Sequence, residues 1–172
     1  MSKSNFTVNW ITKTAILLAL LIVIQLFRMP QLITGVIVNF ILLLAFVQVD
    51  VFSGIIIGLI SPVFAFLLGI LAAPLAPMIP FIMLGNAVYV AIFAMVRSSK
   101  PNWWKASIGV IIGASVKFSL LTLSVKYLVN VPPKIAQAMS LPQLYTALAG
   151  GVMIILLEFK WFSDQKRLNT SK

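Results

Sequence analysis

The sequence predicts an all-α, polytopic membrane protein: one domain over residues 1–172, built as a six-helix transmembrane bundle with both termini in the cytoplasm. Hydrophobic residues make up 61% of the chain and its mean hydropathy is +1.09. The apolar residues fall in long runs with almost no acid, and a hydrocarbon core about 30 Å thick needs roughly 20 of them per helical crossing. Six crossings of that length leave only about nine residues for each connection, so a second, soluble domain does not fit.

Apolar runs and their punctuation place helix 1 at about Ile11–Phe27, helix 2 at about Val36–Val47 and helix 3 at about Val51–Ala72. Helix 4 follows at about Phe81–Val96, helix 5 at about Trp104–Val125 and helix 6 at about Leu141–Trp161. Helix 1 could be mistaken for a signal peptide, but Arg28-Met-Pro-Gln follows it, with no small-residue cleavage pattern. Helix 2 is short for a full crossing, and only Gln48-Val49-Asp50 parts it from helix 3.

Orientation follows from the basic residues. With the N terminus inside, the cytoplasmic side collects nine of them: Lys3, Lys13, Arg97, Lys100, Lys105, Lys160, Lys166, Arg167 and Lys172. The outside receives three, Arg28, Lys126 and Lys134. Trp103, Trp104 and Trp161 then fall at the inner interface as aromatic anchors. Three outward connections result, Arg28–Gly35, Ala73–Pro80 and about Lys126–Ser140. The second has three prolines, Pro74, Pro77 and Pro80, and is expected to be extended and stiff. The third contains Val131-Pro132-Pro133-Lys134. Apolar loops of this kind are expected to fold over the bundle as a lid, the alternative being that they rest on lipid headgroups.

The net charge of +10 does not point to nucleic acid, because the basic residues stand singly at helix ends and form no basic stripe. The chain has no cysteine and no histidine, which removes thiol chemistry, disulfides and the commonest metal ligands. No P-loop, dinucleotide fingerprint, HExxH or G-x-S-x-G motif is present, so neither ATP hydrolysis through a P-loop nor enzyme activity is expected, and no cofactor or metal.

What remains in the apolar runs is a sparse polar set: Gln25, Asn39, Asn86, Tyr89, Ser115, Lys117 and Ser119. Lys117 is the first candidate, since a charge at the bilayer centre costs about 2.5–3.5 kcal/mol or more and usually faces a bundle interior or a wet cavity. Its alternative is snorkelling to the headgroups. Asn39, Asn86 and Lys117 all lie in the outward half of their helices and could converge on one pocket. For each amide the alternative is an interhelical hydrogen bond, worth about 0.6 kcal/mol on average. Arg28 and Lys126 are weaker candidates, because a cation at a helix end is usually a surface residue. The three acids, Asp50, Glu158 and Asp164, all fall on the cytoplasmic side. The outward pocket is therefore cationic and dipolar, and suits a ligand with a carboxylate or other anionic group, its apolar body packed near Met78 and Phe81. Small residues four apart at Ala15 and Ala19, Gly54 and Gly58, and Gly109 and Gly113 allow close helix contacts.

The size, six apolar segments with both ends inside, the Ala15-Ile-Leu-Leu-Ala19 run in helix 1, and a proline-rich outward connection before Leu84-Gly-Asn86 together resemble the S components of energy-coupling factor (ECF) transporters. The resemblance spans essentially the whole chain. It implies a substrate-binding subunit of a prokaryotic plasma membrane that captures a vitamin and is energised by a transmembrane coupling subunit and two ABC ATPase subunits. By resemblance, Ala15 and Ala19 dock on the coupling subunit, and the vitamin sits in the outward half where Asn86, Tyr89 and Lys117 were placed. A carboxylate-bearing vitamin or precursor such as pantothenate, nicotinate, lipoate or a folate suits a cationic pocket. The rival readings are a self-sufficient carrier or channel and a membrane assembly protein with no ligand. The first needs a polar path through the inner half or internal repeats, and neither is visible in the sequence.

Overall fold

The computed structural model describes residues 3–97, 102–129 and 132–170, with side-chain placement outside 3–6, 134–135 and 162–170. Lys100, Lys172 and Val131 thus lie outside the described residues, as do the side chains of Lys3, Lys134, Asp164, Lys166 and Arg167. Seven helices follow one another among the described residues: α1 (Lys3–Leu26), α2 (Gln31–Gln48), α3 (Val51–Leu67), α4 (Ile79–Val96), α5 (Trp103–Leu123), a short α6 (Pro133–Ala138) and α7 (Leu141–Thr170). Five of the segments are long and apolar enough to cross a membrane, and α3, with 17 residues, is the shorter sixth.

α2, α3, α4, α5 and α7 pack as a closed ring of neighbours, and α1 lies outside it against α3 and α2. The ring is tight because glycines sit at its seams. A Cβ on Gly58 would come within 2.9 Å of the Asn86 Cβ, and one on Gly113 within 2.9 Å of the Tyr89 ring. A Cβ on Gly150 would come within 2.8 Å of the Phe40 nitrogen and the Val36 oxygen. Without a hydrophobic drive in lipid, such backbone approach is what gives the helices their van der Waals contact.

Several boundaries differ from those expected, each for a local reason. α2 starts at Gln31 and not at Val36, so most of the expected Arg28–Gly35 loop is helix. Gln31, Thr34 and Gly35 interrupt the apolar run at its start, which hides these residues from a hydropathy reading. The turn before it is made by Arg28, whose φ of 48° is uncommon for a non-glycine residue. α3 ends at Leu67, five residues before the expected Ala72, in a Schellman motif. There Gly69 takes φ 66°, its N–H bonds the Phe66 carbonyl at 2.9 Å and the Ile70 N–H bonds the Ala65 carbonyl at 2.8 Å. Ala73–Met78, expected to be extended, is a 3-10 turn running directly into α4. Proline at the start of a helical turn gives up only an N–H that would be unpaired there. α5 passes into one π-helical turn, Ser124–Leu128, and the third connection carries α6.

The two ends of the bundle differ. At the end holding the chain termini, Asp50 caps α3 by accepting from the Ser53 N–H at 2.7 Å, and its second oxygen accepts from the Trp10 indole at 2.7 Å. Thr14 and Ser53 share a hydroxyl hydrogen bond of 2.8 Å beside it. Arg97 at the end of α4 pairs with Glu158 of α7 and lies over the Phe46 ring, which meets Phe93 edge-on at 5.7 Å. The opposite end is hollow.

Candidate functional site

A cavity of about 340 Å³ opens between the α1–α2 turn, the end of α3, the start of α4, α5 and the start of α7. Its lining alternates apolar residues such as Val38, Leu71, Leu75 and Ile82 with the polar Gln25, Gln31, Asn39, Asn86, Lys117 and Gln143. That volume lies at the small end of the range for ligand sites, roughly 300–1,000 Å³.

Lys117 is the centre of the polar wall. It is 2% exposed, so it does not snorkel. Its Nζ donates to Asn39 Oδ1 at 2.6 Å and to Asn86 Oδ1 at 2.7 Å. The aliphatic stem passes Gly85, where a Cβ would stand 3.3 Å from the Lys117 Cγ. A larger residue beside Asn86 would press on the stem.

The two amides are held in place from behind. Pro62 lies within α3 and has no N–H, so the carbonyl of Gly58, four residues earlier, lacks its usual helical partner. Asn86 Nδ2 donates to that carbonyl at 3.0 Å, which turns its Oδ1 toward the ammonium. Asn39 Nδ2 donates to the Gly35 carbonyl at 2.8 Å and to Thr146 Oγ1 at 3.4 Å. The interhelical hydrogen bond and the cavity wall, set against each other in the sequence, are here one arrangement. It joins α2, α3, α4, α5 and α7 at a single cation.

An ammonium has three N–H donors and two are used. No carboxylate lines the cavity among the described residues. The Tyr89 ring lies 5.6 Å from Nζ, a favourable cation–π contact that leaves the charge in place.

The other expected site residues are placed differently. Tyr89 is buried behind Lys117, does not line the cavity and donates its hydroxyl to the Ala147 carbonyl at 2.7 Å, tying α4 to α7. Met78 is buried in an apolar cluster with Leu75, Leu121 and Met139, and Phe81 packs on that cluster. Neither lines the cavity; Leu71, Leu75, Ile82 and Met139 do. Arg28 and Lys126 are exposed and outside the lining, with Lys126 over the Tyr127 ring at 5.1 Å. Ser115 and Ser119 point away from the ring. Ala15 and Ala19 are exposed on α1. Gln31, Thr34, Ser61 and Gln143 also line the cavity and are not among the residues expected from the sequence. The signal for the first two was their polarity ahead of an apolar run, which reads equally well as a loop.

The model of the ECF transporter substrate-specific component family matches residues 9–161. The chain belongs to that family. No curated protein and no solved structure matches it significantly. Membership makes it the substrate-specific subunit of an ECF transporter, an integral protein of a prokaryotic plasma membrane. Such a subunit takes a small-molecule substrate and works with a module of a transmembrane coupling subunit and ATPases. The sequence resemblance to S components is thereby borne out.

Proposed function

We propose that this S component captures a small carboxylate-bearing vitamin or vitamin precursor from outside the cell. Lys117 binds the carboxylate, Asn39 and Asn86 orient the ammonium, and two ABC ATPases acting through the coupling subunit drive delivery inward. The observation that carries the reading is the state of Lys117: a buried cation held by neutral amide oxygens, one donor unused, in a cavity wall with no counter-ion among the described residues. Burying an unpaired charge is costly, and a ligand carboxylate relieves that cost while gaining a charge-assisted hydrogen bond. The volume favours pantothenate, nicotinate or lipoate over a folate.

A one-sided pocket also fits capture better than free passage, since the terminal end is closed by the Phe46–Phe93 contact and the Arg97–Glu158 pair. Calorimetry of the purified protein tests the reading with pantothenate against pantothenol and lipoate against lipoamide. At least one acid is expected to bind about 100-fold more tightly than its uncharged analogue, near the effect of leaving a buried charge without its partner. Equal binding within both pairs overturns the carboxylate assignment.

A further inference from the structure

Gln25 is the residue of α1 that lines the cavity, although α1 itself lies outside the ring of helices. It is 4% exposed, and its side-chain Oε1 is buried with no hydrogen-bond partner. Lone buried acceptors of this kind are rare in folded proteins and cost about 1–3 kcal/mol unless something satisfies them. The terminal torsion of a glutamine is soft, so the amide turns readily to meet a ligand group. A second feature concerns the lining as a whole. Its described residues hold five side-chain amides, those of Gln25, Gln31, Asn39, Asn86 and Gln143, the hydroxyls of Thr34 and Ser61, the Lys117 ammonium, two methionines and aliphatic residues, but no Phe, Tyr or Trp. Among the described residues the wall therefore offers a planar ligand no aromatic face to stack on, whereas flexible aliphatic chains pack well on Met and Leu.

We infer that Gln25 is a second polar anchor of the ligand, and that the ligand is a non-aromatic, flexible carboxylate whose body carries a hydrogen-bond donor such as a hydroxyl or amide N–H. Lys117 takes the carboxylate and Gln25 takes the donor. The inference rests on the carboxylate reading and narrows it: a planar aromatic acid meets no aromatic side chain among the described residues, and a purely hydrocarbon acid leaves Gln25 unsatisfied. A site built around a buried hydrogen-bonding group discriminates strongly against ligands that cannot pair with it.

The test uses three acids that share a carboxylate and differ in the body: pantothenate, with hydroxyls and an amide; lipoate, aliphatic without a donor; and nicotinate, aromatic. Calorimetry on the detergent-solubilised protein is expected to give pantothenate at least a tenfold advantage over each of the others. In Gln25→Leu its advantage over lipoate falls to threefold or less. Gln25→Glu keeps an acceptor of the same shape and is expected to retain the preference for pantothenate over lipoate, with its thermal midpoint as the monitor of folding. Nicotinate binding as tightly as pantothenate, or a pantothenate-to-lipoate ratio unchanged in Gln25→Leu, overturns the inference. Both outcomes leave the carboxylate reading standing if Lys117→Met still abolishes binding of whichever acid the wild type holds. Loss of the charge at Lys117 without effect on any of them sinks the broader reading and this one together.

Discussion

The bundle handles buried charge in opposite ways at its two ends. Near the chain termini, Arg97 meets the carboxylate of Glu158, and Asp50 is satisfied by an indole and a backbone N–H. At the other end Lys117 meets the oxygen atoms of two amides and the face of the Tyr89 ring, and no acid lines the surrounding cavity among the described residues. A pair neutralised within the protein holds helices together and has nothing left to offer a ligand. A cation held by neutral groups keeps its charge available, and on the proposed reading that difference separates a structural contact from a binding site.

Exchanging the two charges for neutral isosteres probes this contrast most strongly. Lys117→Met is expected to weaken carboxylate binding by about 100-fold or more. The change in thermal stability is small by comparison, because removing a buried charge also removes its desolvation cost. Glu158→Gln should do the reverse. It leaves Arg97 with a weaker partner and lowers stability by about 1–3 kcal/mol, as measured by denaturation in mixed micelles, with ligand affinity unchanged. If the first variant lost stability and kept its affinity, Lys117 would belong with Arg97 among the helix fasteners.

Much of this division was legible in the sequence, and what was not has a common cause. Lys117, Asn39 and Asn86 were visible as isolated polar residues in apolar runs, and the six helices as the runs themselves. Hydropathy failed where the cavity wall is polar: Gln31, Thr34 and Gly35 belong to the first turn of α2 but interrupt its apolar run, so the helix was expected to begin only at Val36. Gln25 was seen, yet a glutamine at a helix end ordinarily faces headgroups, and only the packing of α1 against α2 and α3 turns it inward. Prolines misled in the Ala73–Pro80 segment because composition alone does not distinguish an extended run from a helical turn that begins on proline. The three small-residue pairs looked alike in sequence. In the structure Gly54, Gly58, Gly109 and Gly113 are buried at seams of the ring, whereas Ala15 and Ala19 are exposed.

A finer version of the comparison concerns what fixes the dipoles around Lys117. Pro62 acts at one remove, by freeing the Gly58 carbonyl that anchors Asn86. Pro62→Ala returns an N–H to α3, which competes for that carbonyl and lets the Asn86 side chain turn. The expected result is a three- to tenfold loss of ligand affinity with no loss of stability, since alanine is the better helix former by about 3 kcal/mol. The readout is the split between calorimetric affinity and thermal midpoint, and a parallel fall in both would make Pro62 a packing residue only.

The smallest effect on the isolated chain is expected at α1. Ala15 and Ala19 stand exposed on α1, outside the ring, while the glycine pairs of the same spacing are already consumed by internal contacts. Exposed small side chains leave a shallow surface on which another helix can approach closely in lipid. Replacing both alanines by leucine should therefore shift stability by no more than about 0.5 kcal/mol, as for substitutions away from packed features. Ligand affinity should also stay the same, because neither residue reaches the cavity. What should be lost is co-purification with the coupling subunit and ATPases, and with it uptake into reconstituted vesicles. A double variant that still assembles and transports would move the docking surface elsewhere on the bundle, while one that unfolds would mean that this face is covered within the chain after all.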